Sequence, residues 1–180
     1  MEPTRCWKTR WYWAWQDGRE EAWLEEMSGK GWHLESFCLP GVYIFRKGQP
    51  TKYVYRLDFQ TSPMKDRKEY LQLFRDAGWD HLGNMAAWEY FRKEALPGEE
   101  PEIFTDPESK IQKYRRILGV LSIFLLALII LFLPTGRDTP ETKGLGAIPQ
   151  CITAGALFIY IFGIVQIGLR IRELKKNLRK

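Results

Sequence analysis

Apolar and polar positions alternate twice along this chain, and each alternating stretch leads into a helical stripe. Residues 5–16 set Trp7, Thr9, Trp11, Trp13 and Trp15 on one side and Lys8, Arg10, Tyr12 and Gln16 on the other. That is the two-residue period of a strand with one buried face. Asp17 and Glu20 have capping-box spacing, and Trp23, Leu24 and Met27 form the inward stripe of a short helix ended by Gly29 and Gly31. A run to Cys38, a Pro40-Gly41 turn and a second run from Val42 to Arg46 then predict a hairpin.

The order repeats. Tyr53, Tyr55, Leu57 and Phe59 share a strand face, Pro63 suits a first helical turn, and Tyr70, Leu71 and Phe74 repeat the stripe of Trp23, Leu24 and Met27. Gly78-Trp79 answers Gly31-Trp32, and Phe91-Arg92-Lys93 answers Phe45-Arg46-Lys47. Aromatic strands and a glycine after a helix occur in unrelated β-α-β-β segments, but the ordered string favours duplication, with repeats at 5–47 and 52–93. The expected fold is α+β: tandem β-α-β-β units forming a cytosolic domain over 1–93, with two helices on one side of an antiparallel sheet.

An acidic, proline-bearing linker (94–109) separates this domain from Ile117–Leu133, an unbroken apolar run introduced by Lys110, Lys113, Arg115 and Arg116. As a helix the run is about 26 Å long, and its flanks extend it to the roughly 30 Å of a bilayer core. Segment 110–133 therefore reads as a juxtamembrane piece and a first crossing, 134–146 as an extracytoplasmic loop, 147–169 as a second crossing and 170–180 as a basic cytosolic tail. Gly155, Gly163 and Gly168 suit close approach between the crossings.

Charge fixes the orientation. The formal net charge of +5 is the balance of a mildly acidic half before residue 109 and a strongly basic half after it. Lys and Arg cluster before the first crossing and after the second, with only Arg137 and Lys143 between, so both termini are expected in the cytoplasm. The soluble half has no basic stripe, which excludes direct nucleic-acid binding as its role. Cys6, Cys38 and Cys151 form no CxxC pair, and their odd number argues against a disulfide framework.

No phosphate loop, metalloprotease or nucleophile-elbow motif occurs. His33 and His81, each just past a Gly-Trp pair, match no zinc spacing with Cys6 or Cys38 and read as ordinary strand or turn residues. Asp58 reads as solvated on the polar face of its strand. The expectation is no enzyme, no cofactor and no metal. Aromatic density is the distinguishing feature, since all eight tryptophans fall between Trp7 and Trp88. Either the rings serve only as core, or those left over line a cleft between the repeats, with Trp11, Trp13, Tyr53, Tyr55, Trp88 and Tyr90 as its candidate residues.

The strings GREEAWLEEMSGKGWHL, YVYRLDF, DAGWDHL, WEYFRK and EIFTDPESKIQKYRRI resemble the bacterial membrane-anchored family known as domain of unknown function 2812. That resemblance implies a plasma-membrane protein of Gram-positive bacteria, often encoded beside PadR-type regulators, and brings no catalytic residues. The tandem layout is also similar to gyrase-inhibitory-protein-like domains, which implies binding of hydrophobic or cationic molecules between the halves. Three functions follow as expectations: a membrane-tethered regulatory module for a partner protein, a small-molecule sensor with an aromatic cleft, and an accessory subunit of a transporter. A bilayer is the expected partner, together with a regulatory protein or a second copy.

Overall fold

The computed structural model describes residues 4–61, 64–96, 98, 101–104, 107–132 and 147–177. The chain divides into two compact units, Met1–Ser109 and Lys110–Lys180. In the first, β1 (Arg5–Thr9), α1 (Asp17–Gly29), β2 (Trp32–Leu39) and β3 (Val42–Lys47) are followed by β4 (Tyr53–Phe59), α2 (Met64–Asp76), β5 (Asp80–Met85) and β6 (Trp88–Glu94).

The repeated order is β-α-β-β, but the strands do not join in one sheet. They form two three-stranded antiparallel sheets of the same topology, β1-β3-β2 and β4-β6-β5. The reason lies at the edge of β4. There Leu57 N–H donates to the Glu21 carboxylate at 2.8 Å and Tyr55 N–H to Glu25 at 3.3 Å. Side chains of α1, not a neighbouring strand, satisfy that edge.

Helix α1 packs by the expected stripe. Trp23, Leu24 and Met27 form one buried cluster with Leu34, Tyr43 and Phe45 of the first sheet and with Tyr55, Leu57 and Tyr90 of the second. Each such fully buried large apolar side chain stabilises the fold by about 1.5–3 kcal/mol. Helix α2 packs on the opposite face of the second sheet, where Phe74 meets Val54, Trp79 and Phe91. Pairing of Leu57 with Tyr90, and of Arg56 with Phe91, puts these two clusters on alternate faces of the same strands. The second sheet is thus covered on both sides.

Four local expectations fail for identifiable reasons. The first strand ends at Thr9 because its partner β3 begins at Val42; beyond it Arg10 N–H makes one last bond to Gly41 C=O at 2.8 Å. Its tryptophan face is not the buried one, since Trp7 is 62 % exposed while Cys6 on the other face packs against the core. The capping box does not form: Gln16 is the N-cap, its side chain makes no capping bond, and Glu20 is buried. Asp58, 2 % exposed, is not solvated, for it accepts a 2.8 Å hydrogen bond from the Tyr70 hydroxyl of α2.

Gly31 and Gly78 end the two helices with φ of +77° and +80°, a left-handed conformation that glycine adopts without strain.

The second unit holds all but the first residues of α3 (Pro107–Phe132), together with α4 (Ala147–Asn177). Ile111, Tyr114 and Ile117 of α3 and Ile167 and Ile171 of α4 are buried, and the Arg170 guanidinium lies 5.4 Å from the Tyr114 ring centre. Further along, Ile123, Phe124, Leu126 and Ile130 of α3 and Phe158, Ile161 and Val165 of α4 are exposed. Among the described residues one segment, Ala154–Lys176, is long and apolar enough to cross a membrane. A Cβ on Gly155 or Gly168 would meet nothing within 4 Å, so neither position serves close helix approach. The loop 134–146, Pro63 and the side chain of Cys151 lie outside what is described.

Candidate ligand-binding cleft

The loop between β1 and α1, the Pro40-Gly41 turn and the β5–β6 turn converge on a cavity of about 150 Å³. Its walls are aromatic: Trp11, Tyr12, Trp13, Tyr43, Trp88 and Tyr90. Trp11 and Trp13 meet edge-to-face at 5.8 Å, and Trp13 stacks on Trp15 at 5.3 Å. Across the cavity Trp88 is fixed edge-to-face against Phe59 at 5.2 Å. Gly41 lets the chain close up here, since a Cβ at this residue would lie 3.1 Å from the Arg10 carbonyl oxygen.

Two carboxylates from the first turn of α1, Asp17 and Glu20, complete the lining, which includes no Lys, Arg or His. Both are buried, at 3 % and 6 % exposure. The same oxygen of Glu20, Oε1, accepts hydrogen bonds from the Tyr43 hydroxyl at 2.7 Å and the Tyr90 hydroxyl at 2.6 Å. One tyrosine comes from each sheet, so this carboxylate ties the two repeats together. Burial holds the Glu20 carboxyl above the usual carboxylate range, the two hydroxyl bonds oppose that rise, and the charge of Asp17 adds to it. Burial, and then the neighbouring Glu20 charge, push the Tyr43 and Tyr90 hydroxyls up, so both remain donors. The buried Tyr12 hydroxyl has no hydrogen-bond partner among the described residues.

Four of the six residues expected to line a cleft, Trp11, Trp13, Trp88 and Tyr90, meet at this cavity. Tyr53 and Tyr55 do not. Tyr55 is fully buried in the core, and Tyr53 lies against His33 at 5.3 Å and under the Arg92 guanidinium at 4.7 Å. Asp17 and Glu20 were readable only as helix-capping residues, and that spacing gives no sign of which way a side chain turns. The histidines are held by local partners: His33 Nε2 lies 2.8 Å from Gln49 C=O, and His81 Nε2 lies 2.7 Å from Glu89. No group of three or more His, Cys, Asp or Glu suited to a metal occurs among the described residues.

A second polar cluster lies between α2 and the second sheet. Arg67 grips the buried Glu89 carboxylate with both arms, at 3.0 and 3.1 Å, and reaches Asn84 at 3.2 Å. Its charges are mutually satisfied, and it offers neither a nucleophile nor an activated base.

The family model described as a protein of unknown function, DUF2812, matches residues 16–128. No curated protein and no solved structure matches the chain.

Proposed function

Since the chain belongs to the DUF2812 family, whose description carries no activity, we propose from its own geometry that it is a membrane-tethered, non-enzymatic sensor of a small organic cation. The observation that carries this reading is the composition of the cavity: aromatic walls, two buried carboxylates and no cationic side chain in the lining. A ring face attracts a cation by its quadrupole, worth up to about 2 kcal/mol per ring when water is excluded. The carboxylates add charge where the local dielectric is low, and this favours a cation over a neutral molecule of the same shape. A cavity of about 150 Å³ suits a benzene-sized body or an alkylammonium head group, not a multi-ring compound.

The tether follows from α3 and α4. Both expose large aliphatic and aromatic side chains over their distal halves, which is costly in water and natural in lipid. In this reading both helices cross the bilayer, and the cations flanking them hold both termini on the cytoplasmic side. A ligand that ties α1 more tightly to both sheets through Glu20 stabilises the junction of the two repeats, which gives binding a route to a conformational signal.

Choline and its neutral isostere 3,3-dimethylbutan-1-ol are suitable probes, titrated against the full-length protein in micelles and followed by tryptophan emission. Choline is expected to bind at least tenfold more tightly than the alcohol, and Asp17→Asn is expected to remove most of that difference. Equal affinity for the two compounds, or none for either, overturns the proposal.

A further inference from the structure

We infer that the outer face of the first sheet is a docking site for an acidic amphipathic helix of a partner protein. The chain's own second repeat supplies the template for this interface. Matching the strand ends, Arg10 N–H to Gly41 C=O in one repeat and Gln60 N–H to Ala87 C=O in the other, makes Arg5, Trp7, Val42 and Ile44 equivalent to Tyr55, Leu57, Trp88 and Tyr90. In the second repeat this face is covered, with Leu57 and Tyr90 each 1 % exposed. What covers it is the α1 cluster, whose Glu21 and Glu25, one turn apart, accept the outward N–H groups of Leu57 and Tyr55.

In the first repeat the equivalent surface is open. Trp7 is 62 % exposed, Arg5, Thr9 and Arg46 are exposed, and Val42 and Ile44 are half-buried. Thr4 C=O and Arg10 N–H point towards β3, so the N–H groups of Arg5 and Trp7 point away from it, as those of Tyr55 and Leu57 point away from β6. The demand of this surface is therefore the one α1 meets elsewhere: an apolar stripe for Trp7, Val42 and Ile44, and two carboxylates one turn apart for the strand edge. Charge agrees, because Arg5 and Arg46 share a single carboxylate, Glu35, and leave the face net positive.

A second copy does not meet this demand. The helix positions equivalent to Glu21 and Glu25 are Lys68 and Gln72 in α2, and that helix would bring a cation towards Arg5 and Arg46. The occupant is therefore a helix of another protein, recognised by its paired acids.

The test places a photo-crosslinking benzoylphenylalanine at Trp7, or at the exposed Leu73 of α2 as control, in the full-length protein in its native membranes. Crosslinked peptides are then identified by mass spectrometry. Position 7 is expected to yield a partner peptide with two Asp or Glu residues four apart within an apolar stripe, absent from position 73. Combining Arg5→Glu with Arg46→Glu is expected to reduce that product at least tenfold. Crosslinks from position 7 only to lipid, only to this chain, to a peptide lacking the acid pair, or no more than from position 73 overturn the inference.

Discussion

Replacing Tyr90 by phenylalanine removes one hydroxyl from a buried polar contact that joins α1 to the second sheet. Tyr90 is 1 % exposed and donates at 2.6 Å to a carboxylate that is itself buried. A hydrogen bond to a charged acceptor contributes about 1.5–3 kcal/mol, and one to a neutral acceptor about 0.5–1.5 kcal/mol. Glu20→Gln keeps an Oε1 acceptor in place without the charge, so Tyr90→Phe is expected to cost about 1–1.5 kcal/mol less in that background. All eight tryptophans lie between Trp7 and Trp88, so emission from the full-length protein reports only on the first unit. Urea titrations in micelles at pH 8 then read the coupling directly. With a slope of about 1–3 kcal/mol per molar, the single variant is expected to lower the midpoint by roughly 1 M. A loss below about 0.5 kcal/mol, or the same loss in both backgrounds, refutes a charge-assisted bond at Glu20.

Two further predictions concern pH and backbone. Glu35 is held down to about 2 by the Arg5 and Arg46 guanidiniums, so its contribution to stability is present above about pH 4.5 and lost as pH falls towards 2. Glu20 is raised, so its contribution is present below about pH 4.5 and lost as pH rises through its folded-state value. Urea midpoints against pH are expected to lose the acid arm in Glu35→Gln and the descending arm in Glu20→Gln; unchanged profiles contradict both assignments. Gly31→Ala is expected to cost more than about 2 kcal/mol, because left-handed backbone is costly for alanine and its Cβ would lie 2.6 Å from the Gly48 carbonyl oxygen. Gly29→Ala, with nothing within 4 Å, is expected to gain about 0.5–1 kcal/mol in the same titration.

The order and type of the elements were legible because periodicity and glycine placement are local properties of the chain. The helix stripe of Trp23, Leu24 and Met27 and the Gly-Trp pairs fall where the pattern puts them. Which face of a strand is covered is not a local property. The alternation of Trp7, Trp11 and Trp13 shows that residues share a side, while the packing of α1 decides that the other side, with Cys6 and Phe45, is the inner one. Asp58 follows the same logic, since its strand position alone reads as solvated and only the docking of α2 brings Tyr70 over it. The cleft was partly readable from aromatic surplus, but its carboxylates depend on Glu20 meeting Tyr90, a contact spanning 70 residues.

Comparing equivalent positions of the two β-α-β-β units gives a physical reason why the proposed cation site belongs to the first unit. Glu20 on α1 and Tyr43 on β3 occupy positions equivalent to Arg67 on α2 and Glu89 on β6. Each pair joins a helix to its own sheet, at 2.7 Å in the first repeat and 3.0 Å in the second. In the second repeat the pair is an ion pair, so the two charges cancel each other. In the first, a neutral hydroxyl replaces the countercharge, and the carboxylate remains beside a second one, Asp17, at an aromatic cavity. If that asymmetry is what creates affinity, Glu20→Arg with Tyr43→Glu should rebuild the second repeat's pair in the first, leave the stability read by urea titration within about 1 kcal/mol of the parent, and abolish choline binding. A double variant that folds equally well and still prefers choline to its neutral isostere would show that the rings alone select the cation.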